Sequence, residues 1–127
     1  MAGNIPRGLE WAFLIHFFVG AFLGVALLIF QEAILGGVGW PSHDDVTPRL
    51  LGAALIAIST SSLLAWREKE LEKVKIVVEM ELVWLAVGLV VSIYGVIFIA
   101  INWLAFVVLA MFGVFFAAFA YFYRKAY

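Results

Sequence analysis

The sequence predicts an all-α integral membrane protein: a four-transmembrane-helix bundle, up-down-up-down, with both termini cytoplasmic. Three observations carry that reading. The stretch Leu82–Tyr123 holds 42 residues without Asp, Glu, Lys, Arg or His and is closed by Arg124 and Lys125. As one helix it would run roughly 63 Å, about twice the hydrocarbon thickness of a bilayer, so it must fold back as two spans. Next, 66% of the 127 residues are hydrophobic and 13% are charged, against about half and about a quarter in soluble domains. Finally, seven of the eight basic residues fall on one side when four spans alternate.

The first span is placed at 11–30. Met1–Glu10 is short and polar, with Pro6 and Arg7 ahead of the apolar run Trp11–Phe30. That run is long enough to cross a bilayer and lacks a small-x-small cleavage site after it, so it reads as a retained span and not a signal peptide. Gln31–Pro48 reads as a loop, rich in the breakers Gly36, Gly37, Gly39, Pro41 and Pro48, with Trp40 as an interfacial anchor.

The second span, 49–66, opens after Pro48 and ends on Trp66. In Arg67–Lys75 opposite charges recur three apart: Arg67/Glu70, Lys69/Glu72, Glu70/Lys73 and Glu72/Lys75. This spacing supports a solvated helical extension leading into the third span, 76–97. The turn is expected within Phe98–Asn102, and the fourth span at 103–123. Residues 1–127 are expected to form one membrane domain.

Arg7, Arg67, Lys69, Lys73, Lys75, Arg124 and Lys125 share one side and Arg49 stands alone on the other. Cytoplasmic loops retain Lys and Arg, so both termini are placed inside and the polar tip Ser42-His43-Asp44-Asp45 outside. The net charge of -1 argues against nucleic acid as a partner. The chain has no Cys, which removes disulfides, thiol nucleophiles and Cys-ligated metals. Membrane lipids are the expected partners, together with a second copy or a larger membrane complex. The sequence implies no particular cofactor.

Helices in lipid approach one another through small residues, so their spacing marks the inward faces. In the first span Ala12, His16, Gly20 and Gly24 step by four, which puts His16 on the packing face. Gly20-x-x-x-Gly24 serves either a homodimer seam or a neighbouring span. In the second, Ala53, Ala57, Ser61 and Ala65 step by four; in the third, Glu81, Gly88 and Gly95 step by seven; in the fourth, Ala110, Gly113, Ala117 and Ala120 form the small stripe. Glu79, two residues from Glu81, is turned outward.

Depth gives a second constraint. His16 lies about five residues in from Trp11, Glu81 about six from Lys75, and Thr60 and Ser61 about five or six from Trp66, each roughly 7–9 Å at helical rise. Alternating threading brings them to one layer, so His16 and Glu81 are expected to meet with Ser61 or Thr60 as a third partner. Ionisable groups inside a span are costly and point to a ligand or proton site. The alternative is an interhelical hydrogen-bond set of about 0.6–2 kcal/mol that fixes register.

At the polar tip His43, Asp44 and Asp45, with Glu32, have the chemistry of divalent-cation ligands, but their spacing matches no ligand pattern and an acidic solvated turn accounts for them better. No nucleophile elbow, phosphate loop or HExxH pattern is present. The sequence thus points to a non-enzymatic membrane protein acting by binding, as an accessory subunit or a lipid or small-ligand binder. The alternative is an oligomeric proton-linked transporter or ion channel using His16 and Glu81.

Overall fold

The computed structural model describes residues 3–40, 44–99 and 103–127. They form α1 (Arg7–Ile29), α2 (Gln31–Gly37), α3 (Thr47–Glu68), α4 (Leu71–Tyr94) and α5 (Leu104–Ala126), with a π-helical stretch, Gly95–Ile99, prolonging α4. Four of these helices, α1, α3, α4 with its extension and α5, are long and apolar enough to cross a membrane. The architecture is all-helical, that of a small membrane protein.

Two helix pairs make up the molecule. α1 packs along α3, where Gly24 and Gly52 bring the two backbones together: a Cβ on Gly24 would stand 2.8 Å from the Gly52 carbonyl oxygen. This is the close approach that small residues permit in lipid. α4 packs along α5, with the Phe112 ring covering Gly88. The pairs are joined by a buried apolar cluster of Ile5, Leu9, Ala12, Phe13, Ala65, Val74, Val78, Leu85 and Phe119. Phe13 and Phe119 meet across it with ring centroids 5.5 Å apart.

In two helices the inward face differs from the small-residue stripe read from the sequence. In α3 the buried residues are Pro48, Gly52, Ser59, Ser62 and Ala65, while Ala53 and Ala57 are exposed. Ala53 lies about 100° around the helix from Gly52, and steps of four, each overshooting a turn by about 40°, carry positions 57 and 61 still farther from the face that Gly52 fixes. In α5 Ala110 and Ala117 are exposed and Ala105 and Phe119 are buried. There an aromatic ring, not close backbone approach, fills the space between the pairs.

The charged hinge is helical from Leu71 into the third span, as expected, but it is not continuous with the second. α3 ends at Glu68, Lys69 takes a left-handed conformation at φ 66°, and Glu70 is extended before α4 begins at Leu71. The cause is long-range. The Ile5 amide donates to the Lys69 carbonyl at 2.9 Å and the Leu71 amide to the Gly3 carbonyl at 2.8 Å, so that Asn4 and Glu70 form an isolated antiparallel bridge. Lys69 then reaches Glu10 at 3.1 Å, and Lys73 contacts Glu68 at 3.1 Å and Glu70 at 3.0 Å. Tyr127 donates its hydroxyl hydrogen to the Leu71 carbonyl at the same hinge.

Gln31–Pro48 is not wholly loop. Phe30 bends the chain out of α1, and the helix formers Gln31–Leu35 make α2, which stops at Gly36–Gly37. Gly39 follows with φ 73°, a conformation glycine adopts without steric cost. Asp44 then accepts hydrogen bonds from the Val46 amide at 2.8 Å and the Thr47 amide at 2.5 Å, closing the entry to α3. The turn expected within Phe98–Asn102 falls largely on residues 100–102, outside the described residues.

Candidate functional site

Three helices bring His16, Ser62 and Glu81 into contact. Each comes from a packing face: His16 from the face of α1 that also buries Ala12 and Gly20, Ser62 from α3, Glu81 from the face of α4 that buries Val78 and Leu85. Ser62 Oγ donates to Glu81 Oε1 at 2.7 Å and lies 2.9 Å from His16 Nδ1. A hydroxyl has one hydrogen, and here it goes to the carboxylate, so Nδ1 must carry a hydrogen and donate it to Ser62. The other ring nitrogen, Nε2, stands 3.4 Å from Glu81 Oε2. That is ion-pair distance without a hydrogen bond's alignment, and Oε2 has no hydrogen-bond partner.

The cluster is closed off. Glu81 and Ser62 are fully buried and His16 is 6% exposed. Phe115 and Phe119 of α5 present their rings edge-to-face to the imidazole, with centroids 4.8 Å and 5.7 Å away. One turn along α3, Ser59 is buried beside Gly20 with its hydroxyl unpartnered.

Ser62, not Ser61 or Thr60, is therefore the hydroxyl between His16 and Glu81. Thr60 is exposed and donates to the Ile56 carbonyl at 2.7 Å, and Ser61 donates to the Ile58 carbonyl at 2.5 Å. Both hydroxyls satisfy the preceding helical turn, as Ser and Thr do when no better acceptor faces them. The usable signal was Gly52: counting seven and ten residues on from it gives Ser59 and Ser62. Glu79 points away and accepts the Tyr123 hydroxyl at 2.8 Å.

The residues considered for a metal are dispersed in role. Glu32 and Asp45 are exposed, Asp44 caps α3, and His43 lies outside the described residues. Among the described residues no group of three or more His, Cys, Asp or Glu could hold a metal ion. Asp44 titrates well below an ordinary carboxylate, at about 2, because the Thr47 and Val46 amides donate to its charged form.

Two hollows lie along α1. A shallow, open depression of about 400 Å³ is lined by Phe18, Val19, Phe22 and Leu23 of α1 and Met111 of α5. A second hollow of about 330 Å³ is lined by Ile29, Phe30, Glu32, Ala33 and Arg49. Phe18, Phe22, Val25 and Ile29 are all exposed and are spaced four, three and four residues apart, so one apolar strip on α1 connects the hollows. Comparison with protein-family models, with curated proteins and with solved structures finds no match for this chain.

Proposed function

We propose that the protein acts by binding within the membrane, without catalysis, and that its ligand is a lipid with a phosphate and an ammonium in its headgroup. One observation carries this reading: the exposed strip Phe18–Phe22–Val25–Ile29 joins an apolar depression to a hollow flanked by Glu32 and Arg49. From Phe18 to Ile29 the strip rises roughly 16 Å, close to the hydrocarbon depth of one leaflet, about 15 Å. An acyl chain laid along it brings its headgroup to Arg49, which suits phosphate, and Glu32, which suits an ammonium. The excess of Lys and Arg at the hinge and the two ends favours a threading with both termini cytoplasmic, so the lipid belongs to the outer leaflet.

Native mass spectrometry of the protein released from nanodiscs of zwitterionic lipid tests this. The expected result is one or two retained lipids per chain, lost in Arg49→Gln and Phe22→Ala. A bare oligomer, or a chain bound to another protein, would replace the lipid reading with self-assembly or an accessory-subunit role. A second reading, proton-linked transport through His16 and Glu81, is favoured by the buried His16–Ser62–Glu81 cluster. It requires pH-driven flux in liposomes that stops when either residue is replaced.

A further inference from the structure

We propose that His16 and Glu81 form a one-proton site that latches the two helix pairs, closed only while a single proton lies between Nε2 and Oε2. The count of hydrogens in the cluster requires this whatever occupies the apolar hollow along α1. Ser62 has no further hydrogen to give: it donates to Glu81 Oε1 and accepts from His16 Nδ1. That leaves Nε2 and Oε2 at an ion-pair distance of 3.4 Å, where one proton carried by either atom makes the contact attractive.

With one proton there the contact is attractive in either arrangement, imidazolium against carboxylate or imidazole against carboxylic acid. With none, a bare nitrogen lone pair faces a carboxylate oxygen. With two, an N–H faces an O–H. Both of the latter set like against like in a site closed to water by Phe115 and Phe119, where such a mismatch is not screened.

Position makes this pair a latch. His16 and Ser62 belong to the α1–α3 pair and Glu81 to the α4–α5 pair, so the shared proton spans their junction. Among the described residues, the surrounding elements add no competing charge to the cluster. α3 contributes Ser62, and α5 contributes Phe115 and Phe119. Glu79 is held by Tyr123 of α5, and Glu10 of α1 by Lys69 at the hinge. Ser62 acts as the positioning residue, fixing the imidazole with Nε2 toward Glu81.

The chain has no Cys, so a pair of introduced cysteines can be spin-labelled cleanly. Ile15→Cys on α1 and Val83→Cys on α4 are exposed positions beside the cluster. With the full chain in nanodiscs, the distance between labels is read by pulsed electron resonance across a pH series. The expected profile is a single short-distance population at intermediate pH, lost at both the alkaline and the acid end. In Glu81→Gln the amide supplies a permanent hydrogen toward Nε2, so the alkaline loss disappears while the short distance remains. A flat profile in the otherwise unaltered protein overturns the proposal whether or not the variant folds, as does an alkaline limb unchanged in Glu81→Gln.

Discussion

Gly24 and Gly52 touch backbone to backbone: a Cβ on Gly52 would stand 2.6 Å from the Gly24 carbonyl oxygen and 2.9 Å from the Leu28 amide nitrogen. Neither obstacle is a side chain that can swing aside, so the two helices must part to admit a methyl group. Gly52→Ala is therefore expected to lower stability by about 1–3 kcal/mol, the usual cost of overpacking. Thermal unfolding in detergent or nanodiscs measures it. An unchanged transition would mean that α1 and α3 do not meet here.

The hydroxyls of α3 should separate sharply. Ser62→Ala leaves the His16 Nδ1 hydrogen and Glu81 Oε1 without their partner in a buried site, and is expected to cost about 1–3 kcal/mol. Ser61→Ala and Thr60→Ala remove only bonds to the preceding turn, and should stay within about 0.5 kcal/mol. The same unfolding assay ranks them, and equal effects at the three positions would remove Ser62 from the cluster.

Lys69 holds φ 66° at the break between α3 and α4. Its contact with Glu10 and its stacking over Trp66, 4.2 Å from the ring centroid, complicate any single replacement. The comparison of Lys69→Gly with Lys69→Ala cancels them, since both lose the side chain. Glycine should be the more stable of the two by about 1 kcal/mol, the left-handed cost that alanine bears.

Asp44 gives a pH dependence with a defined sign. Its folded value, about 2, lies below the ordinary 3.8, so its contribution is fully present above the ordinary value and is lost as pH falls through about 2. The Val46 and Thr47 amides should thus keep their protection from hydrogen exchange through pH 3.8 and lose it toward about 2. In Asp44→Ala that protection should be absent at every pH, and in Asp44→Asn it should persist without the pH dependence, because an amide oxygen still accepts.

Depth was legible in the sequence throughout, and azimuth in α1 and α4, where small-residue spacing turns His16 and Glu81 inward, but not in α3 and α5. Counting inward from Trp11 and Lys75 sets His16 and Glu81 at one level, because rise per residue is uniform whatever the helix packs against. Which hydroxyl of Thr60, Ser61 and Ser62 faces them depends on about 100° per residue, and that angle is fixed by the Gly24–Gly52 contact between distant parts of the chain. The stop at Lys69 was hidden for a similar reason. Local charge spacing favours a helix through Arg67–Lys75, and the bridge from Gly3–Ile5 overrides it. In α5 the small residues misled because Phe119 takes the interior by volume.

The tie between the N-terminal segment and the hinge also sets a schedule for biosynthesis. The Ile5 amide and the Gly3 carbonyl have no partners at Lys69 and Leu71 until those residues have been made. At about 5–20 residues per second the ribosome reaches them several seconds after it has made Ile5. Through that interval α1 and α3 can already be inserted and paired at Gly24 and Gly52, while the N-terminal segment waits for the start of α4. Gly3 and Ile5 thus join the fold only when its second half begins, and a nascent chain stalled before Lys69 lacks the tie.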